Sequence, residues 1–204
     1  MGGHISLFFT SMFPDRVHKL ISLDAVKLSS APSDQFPARM KSVLNDFQNI
    51  ISKMEQSPRK SVSLTYNEAR EKLVRNYRGS VDEEHADILL VRGLRKNGEN
   101  EYEYNRDPRT VIRPFIFNNF STEMLKEIAR AITCPFLLIR ARNSITLAGS
   151  EPPELLQEFI DIYNSASKDF RCFHVDGRHH VHLTNPDSVA PYICNFLSTE
   201  PREK

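Results

Sequence analysis

Three short, mostly apolar runs constrain the fold of this chain more than any other feature of its sequence. They are residues 17–23, 134–140 and 170–175. Each run is too short for a buried helix and has the length of a buried strand. Apolar side chains at helical spacing flank the runs, at residues 3–13, at 153–165 and after Asn185. Because buried strands that alternate with helices are typical of a parallel sheet covered by helices, the sequence predicts an α/β fold.

The long segment between the first two runs is more polar, and its apolar residues recur at helical spacing. Its helical spacings fall at residues 36–56, 66–78, 82–93 and 121–131. Residues 94–109 are highly charged and predict an exposed loop or hairpin. We therefore expect a helical insertion, or lid, between the strands of one core. The predicted parts are core helix and strand at 1–26, lid at 27–133, the remaining core at 134–198 and a tail at 199–204.

Composition excludes several classes of function. The chain has 27 Lys and Arg against 26 Asp and Glu, and this balance argues against dedicated nucleic-acid binding. No apolar run reaches the roughly 18–20 residues that span a bilayer, and no secretory leader is evident. The 3 cysteines are scattered and indicate a reducing compartment without a disulfide framework. We expect a protein that is not secreted and is cytoplasmic, peroxisomal or vesicle-associated, without an integral membrane segment.

The best candidate for chemistry is the segment 176–182, Asp-Gly-Arg-His-His-Val-His, between the third apolar run and the last helix. A histidine in such a strand-to-helix loop lies near the carboxyl end of a parallel sheet, where active sites form. Two other interpretations stay open. The segment is a surface turn, or it belongs to a zinc site built from His174, His179, His180 and His182. Since no cysteine or carboxylate falls at matched spacing, we expect no metal.

The order of motifs along the chain adds a resemblance to a known fold. The motifs are Met1-Gly2-Gly3, Phe13-Pro14-Asp15-Arg16-Val17, Leu23-Asp24, Pro135-Phe136-Leu137-Leu138-Ile139 and Gly177-Arg178-His179. This order resembles the C-terminal two-thirds of an α/β-hydrolase-fold protein, with the three runs as parallel strands six to eight. In that fold the nucleophile serine stands at a sharp Gly-x-Ser-x-Gly turn, which often ends Ser-Met-Gly-Gly. The resemblance implies that the serine would immediately precede Met1.

Two stretches of the predicted lid resemble the serine hydrolase-like (kraken-like) subgroup. Residues 87–96 are leucine-rich and contain Arg92-Gly93, and residues 104–109 contain an Arg-Asp-x-Arg segment. The resemblance covers nearly all of residues 1–198. It implies hydrolysis of a small ester, amide or thioester through an acyl-enzyme, without a cofactor.

The resemblance also implies roles for individual residues. His179 matches the catalytic base, and Met1 matches the residue whose backbone N–H helps to form the oxyanion hole. The acid usually follows strand seven, but residues 138–144 contain no carboxylate. In haloalkane dehalogenases, of the same superfamily, the acid follows strand six, where Asp24 stands here. We predict Asp24 as the acid and keep open a structural role in which it only caps the strand end.

Two expectations follow for this chain. Without the serine before Met1, we expect an inactive remnant, a splice form or the product of a truncated gene model. Without strand five as a neighbour, strand six would leave a sheet edge exposed, and we expect that edge to associate. The alternative from another class is a non-catalytic interaction protein that keeps the fold.

Overall fold

The computed structural model describes residues 2–28, 30, 33–56, 63–107, 110, 120–144 and 152–200. The helices in these ranges are α1 (Gly2–Met12), α2 (Phe36–Gln56), α3 (Tyr66–Asn76), α4 (Glu83–Gly93), α5 (Thr122–Arg130), α6 (Pro153–Ala166), α7 (Val181–Thr184) and α8 (Ala190–Ser198). The strands are β1 (Leu20–Leu23), β2 (Leu94–Lys96), β3 (Tyr102–Tyr104), β4 (Phe136–Ala141) and β5 (Phe170–Val175). The chain divides into two compact units, one formed by Met1–Ser33 with Ile116–Lys204 and the other by Asp34–Phe115.

A parallel three-stranded sheet forms the centre of the first unit. The strand order is β1-β4-β5, and Leu20, Phe136 and Phe170 lie side by side in register. The predicted α/β fold with three parallel strands is confirmed. The first strand is shorter than its apolar run, since the ladder begins where the Leu20 N–H donates to the Pro135 carbonyl.

Two hydrophobic clusters cover the two faces of this sheet. Phe136 and Leu138 face a cluster that includes Leu7 of α1 and Phe159 of α6. The alternate residues of β4 face a second cluster, which includes Phe196 of α8. Because successive side chains of a strand point to opposite faces, both sets of residues must be apolar. This explains why the second run is continuous instead of alternating.

The second unit contains α2, α3, α4 and the antiparallel pair β2–β3. Thr65 and Glu68 form a capping box that starts α3, and the Asp82 carboxylate accepts from the His85 N–H at the start of α4. The helices therefore begin and end close to their predicted positions. The assignment of residues 27–133 as a lid stays a prediction, and α5, within that range, packs in the first unit on α1 and α6.

None of the helices described has both the length and the hydrophobicity that crossing a membrane requires.

Candidate active site

Asp24 ends strand β1 in a backbone conformation that orients its carboxylate. Its φ is 59°, in the left-handed region that Asp tolerates better than most residues. Its N–H donates to the Ile139 carbonyl at 2.7 Å, which continues the parallel ladder by one bond. Only 4% of the side chain is exposed. A carboxylate this deeply buried requires hydrogen-bond donors.

Three donors from two other elements supply those bonds. The Ala141 N–H donates to Oδ1 at 3.1 Å. The Ser144 hydroxyl donates to Oδ2, and His179 Nδ1 lies 2.7 Å from the same oxygen. The carboxylate is thereby connected to the loop after β4 and to the loop after β5.

The loop that carries His179 depends on a glycine. Gly177 has a φ of 140°, and a Cβ at this position would lie 2.7 Å from Cγ2 of Val181. No larger residue fits this turn without strain. The Asn143 N–H donates to the Gly177 carbonyl at 3.0 Å, so the two loops are bonded to each other as well as to Asp24.

The pairing with Asp24 fixes the chemistry of the His179 ring. An ionised carboxylate only accepts hydrogen bonds, so Nδ1 carries the proton and donates it to Oδ2. Nε2 is then the basic nitrogen. The His179 side chain is 39% exposed, which leaves the ring accessible to a reacting group. A neutral imidazole held in this tautomer is suited to take a proton from a hydroxyl.

The first turn of α1 lies beside this pair. A Cβ on Gly3 would lie 2.5 Å from Cβ of Ala25 and 3.3 Å from Oγ of Ser22, so only a glycine permits this approach to the end of β1. Partial burial is the main cause that lowers the pKa of His4 to about 4. The helix therefore begins against the end of β1, next to the position of Asp24.

Two more histidines lie close to His179 in the same loop and the helix that follows. The His180 ring meets it edge-on at 4.8 Å, and the His182 ring is 5.9 Å from that of His180. Burial lowers the pKa of His180 to about 4, and it also lowers the pKa of His182. These rings are thus neutral near pH 7 and add no fixed charge to the site.

The zinc interpretation finds no support in the part of the chain that the structure describes. No three His, Cys, Asp or Glu side chains there are placed to hold a metal ion. His174 lies on β5, opposite Arg140 of β4.

The structure brings together Asp24 and His179, two of the three predicted site residues. Met1, the third, lies outside the described residues. Asp24 accepts from the strand-end Ala141 N–H and from His179, so capping of the strand and pairing with histidine occur in one side chain. Sequence reasoning missed Ser144. Its signal was positional, since it stands in the loop where the superfamily usually has its acid.

Comparison with known proteins gives related sequences but no family assignment. No protein-family model matches the chain. It is 29% identical over 198 residues to a probable serine hydrolase of Drosophila melanogaster, covering 97% of this chain and 57% of that protein. It is 26% identical over 205 residues to a serine hydrolase-like protein of Danio rerio, covering 98% and 59%. The chain thus spans less than two thirds of the length of these curated relatives.

Solved structures show the fold. A hypothetical protein from Pseudomonas aeruginosa superposes with a TM-score of 0.71 at 20% identity, covering 97% of this chain and 64% of that one. An esterase from Mycobacterium tuberculosis gives 0.60 at 16% identity, covering 97% and 60%. The chain has an α/β-hydrolase fold. It covers 64% and 60% of the lengths of these two structures.

Proposed function

We propose that this chain carries the base and the acid of a serine hydrolase, His179 and Asp24. The observation that carries the proposal is the 2.7 Å contact between His179 Nδ1 and Asp24 Oδ2 at the carboxyl ends of parallel strands. Similarity to serine hydrolase-like proteins over nearly the whole chain supports the same reaction class.

In the proposed mechanism His179 moves the proton and Asp24 holds it in place. Nε2 takes the proton of a serine hydroxyl as the serine oxygen attacks the substrate carbonyl. The resulting imidazolium, stabilised by the Asp24 carboxylate, returns the proton to the leaving group as the acyl-enzyme forms. Water then attacks the acyl group with the same base, which releases the acid product and restores the serine.

The proposed nucleophile is a serine directly before Met1 in a longer protein. The position of α1 supports this placement, because its first turn lies against the end of β1, the strand that Asp24 follows. In such a protein the Met1 nitrogen would be an amide N–H, the proposed oxyanion donor. Under this proposal, residues 1–204 on their own do not hydrolyse substrate by this route.

The proposed substrate is a small ester, amide or thioester. The likeness to an esterase supports a small-molecule substrate only at the level of the fold. We keep residues 27–133 as the proposed lid, a range that includes the whole unit Asp34–Phe115.

The test is hydrolysis of a p-nitrophenyl acyl ester by a longer form that carries the serine. His179→Ala should lower kcat/KM on the order of 10²–10⁴-fold, the usual contribution of a general base. His18→Ala is the matched control, since His18 is exposed and outside the site. Equal activity of the two variants would contradict the assignment of the base.

We also propose association through one side of the first unit, which is the basis for the rival function as an interaction protein. Among the described strands, β1 is bonded to β4 on one side only. The neighbouring α1 exposes Ile5, Phe9 and Met12, and Phe13 directly after it is exposed as well, each at least 38% accessible. An open strand edge beside exposed apolar side chains favours pairing with another chain.

A further inference from the structure

We infer that Ser144 is a positioning residue that holds the Asp24 carboxylate in the orientation that His179 requires. The inference rests on the proposed function of the pair. It adds a residue of the loop after β4, which contributes a hydroxyl donor in place of a carboxylate.

The two carboxylate oxygens of Asp24 accept hydrogen bonds from different donors. Oδ1 accepts from the Ala141 N–H at 3.1 Å. Oδ2 accepts from both Ser144 and His179. Because the His179 ring is 39% exposed, Ser144 is the donor that fixes Oδ2 without depending on the ring.

The backbone around Ser144 makes its hydroxyl a fixed donor. The Ser144 N–H donates to the Ala141 carbonyl at 3.3 Å, which closes a tight turn after β4. The preceding N–H groups of Arg142 and Asn143 donate to the Val175 and Gly177 carbonyls, each at 3.0 Å. The turn that contains Ser144 is therefore hydrogen-bonded to the loop that carries His179. Ser144, Asp24 and His179 form one hydrogen-bonded unit.

A purely structural role for Ser144 makes a different prediction. If its hydroxyl only satisfied a buried acceptor, its removal would lower the stability of the fold and leave the His179 ring unchanged. If it orients Oδ2, its removal must also weaken the bond to Nδ1. The tautomer of His179 and the protection of its Nδ1 proton distinguish the two roles.

Nitrogen-15 NMR of the histidine rings in the 204-residue chain measures both quantities without a nucleophile or a substrate. For the unmodified chain above pH 7 we expect the Nδ1–H tautomer of His179. In Ser144→Ala we expect about tenfold faster exchange of that proton with water and a visible Nε2–H population, since a hydrogen bond to a charged group is lost. Ser144→Thr keeps a hydroxyl and should retain the original signal.

Two further variants separate the possible failures. Ser188→Ala, whose hydroxyl donates only to the Asn185 carbonyl in the structure, should leave the ring signals unchanged. Asp24→Asn should remove the Nδ1–H tautomer.

If Asp24→Asn does so but Ser144→Ala does not, the inference on Ser144 is wrong and the proposed pair stands. An equal change in Ser144→Ala and Ser144→Thr also overturns the inference. If Asp24→Asn has no effect, the pair itself and the proposed function are wrong.

Discussion

At the scale of single residues, the candidate site depends on the buried carboxylate of Asp24, which accepts hydrogen bonds from three donors. Asp24 accepts from Ala141 at the end of β4, from Ser144 in the loop that follows and from His179 in the loop after β5. A neutral side chain at position 24 would leave these donors facing a weaker acceptor and would no longer select the Nδ1–H tautomer of His179.

Replacement of the acid should therefore reduce activity far more than replacement of an exposed carboxylate nearby. In a longer form that carries the serine, we expect Asp24→Asn to lower kcat on the order of 10²–10⁴-fold, because the base loses its tautomer and its counter-charge. Asp176→Asn is the matched control. Asp176 is 90% exposed and pairs with Arg142, so its loss should change kcat less than about twofold. Similar losses in both variants would argue against Asp24 as the acid.

The partly buried histidines predict a loss of stability in acid. The pKa values of His4 and His180 are lowered from 6.5 to about 4 in the folded chain, chiefly by burial. Between pH 6.5 and 4 the unfolded chain binds more protons, so the free energy of unfolding falls as the pH falls. After a discount for partial exposure, the two groups should together contribute about 2 kcal/mol of this fall between pH 7 and 5.

Denaturant unfolding at both pH values tests this contribution. The double variant His4→Gln/His180→Gln should show a pH dependence smaller by about that amount, whereas His18→Gln, at an exposed position, should behave like the unmodified chain. An unchanged slope in the double variant would mean that these rings are not held neutral.

At the scale of helices and strands, periodicity and capping residues predicted most of the elements. Helix α2 was predicted at 36–56 and is found there, and Asp82 and Ser121 cap the helices predicted at 82–93 and 121–131. Periodicity and capping depend on residues close together in the chain, so a single sequence is enough to predict them. The length of β1 is not local, because its first ladder bond is made with Pro135, more than a hundred residues away.

The same distinction explains what was predicted of the site. His179 and Asp24 were identified from their positions after strands, together with the resemblance to a known fold. Ser144 was not identified, because serine is common in loops and its role depends on one bond to a residue 120 positions away. Short polar side chains that support a site give no pattern of their own in a single sequence.

Adjacent glycines in α1 give a matched test of how that helix packs on the end of β1. Gly3→Ala should lower the free energy of unfolding by about 1–3 kcal/mol, since the new methyl would overlap Cβ of Ala25 at 2.5 Å. Gly2→Ala should be neutral within about 0.5 kcal/mol, because nothing lies within 4 Å of a Cβ there. In the double variant with Ala25→Gly, the loss at Gly3 should be largely recovered. Equal effects at both glycines, measured by thermal unfolding, would contradict this packing.

At the scale of the whole molecule, the structure describes a unit with a three-stranded parallel sheet and a separate helical unit. The first contains the candidate acid and base. The chain spans 57% and 59% of the lengths of the two relatives. Under the proposed function, hydrolysis also requires a serine from outside residues 1–204, at the position proposed before Met1.

The apolar side of the first unit predicts association of the chain when it is expressed alone. Sedimentation velocity should show species heavier than one chain, since β1 has an open edge and α1 exposes apolar side chains beside it. Phe9→Lys/Phe13→Lys should reduce this association, whereas Leu197→Lys, 56% exposed on α8, should not. A monodisperse monomer of high thermal stability would contradict the proposed association.

The most direct test of the central claim is labelling with a fluorophosphonate probe, followed by peptide mapping by mass spectrometry. The probe reacts covalently with a serine that an adjacent base activates. We predict one modification in the longer form, on the serine immediately before Met1, its loss in His179→Ala, and no labelling of the 204-residue chain. Stoichiometric labelling of the 204-residue chain, or labelling of the longer form at any other serine, would contradict the proposed site.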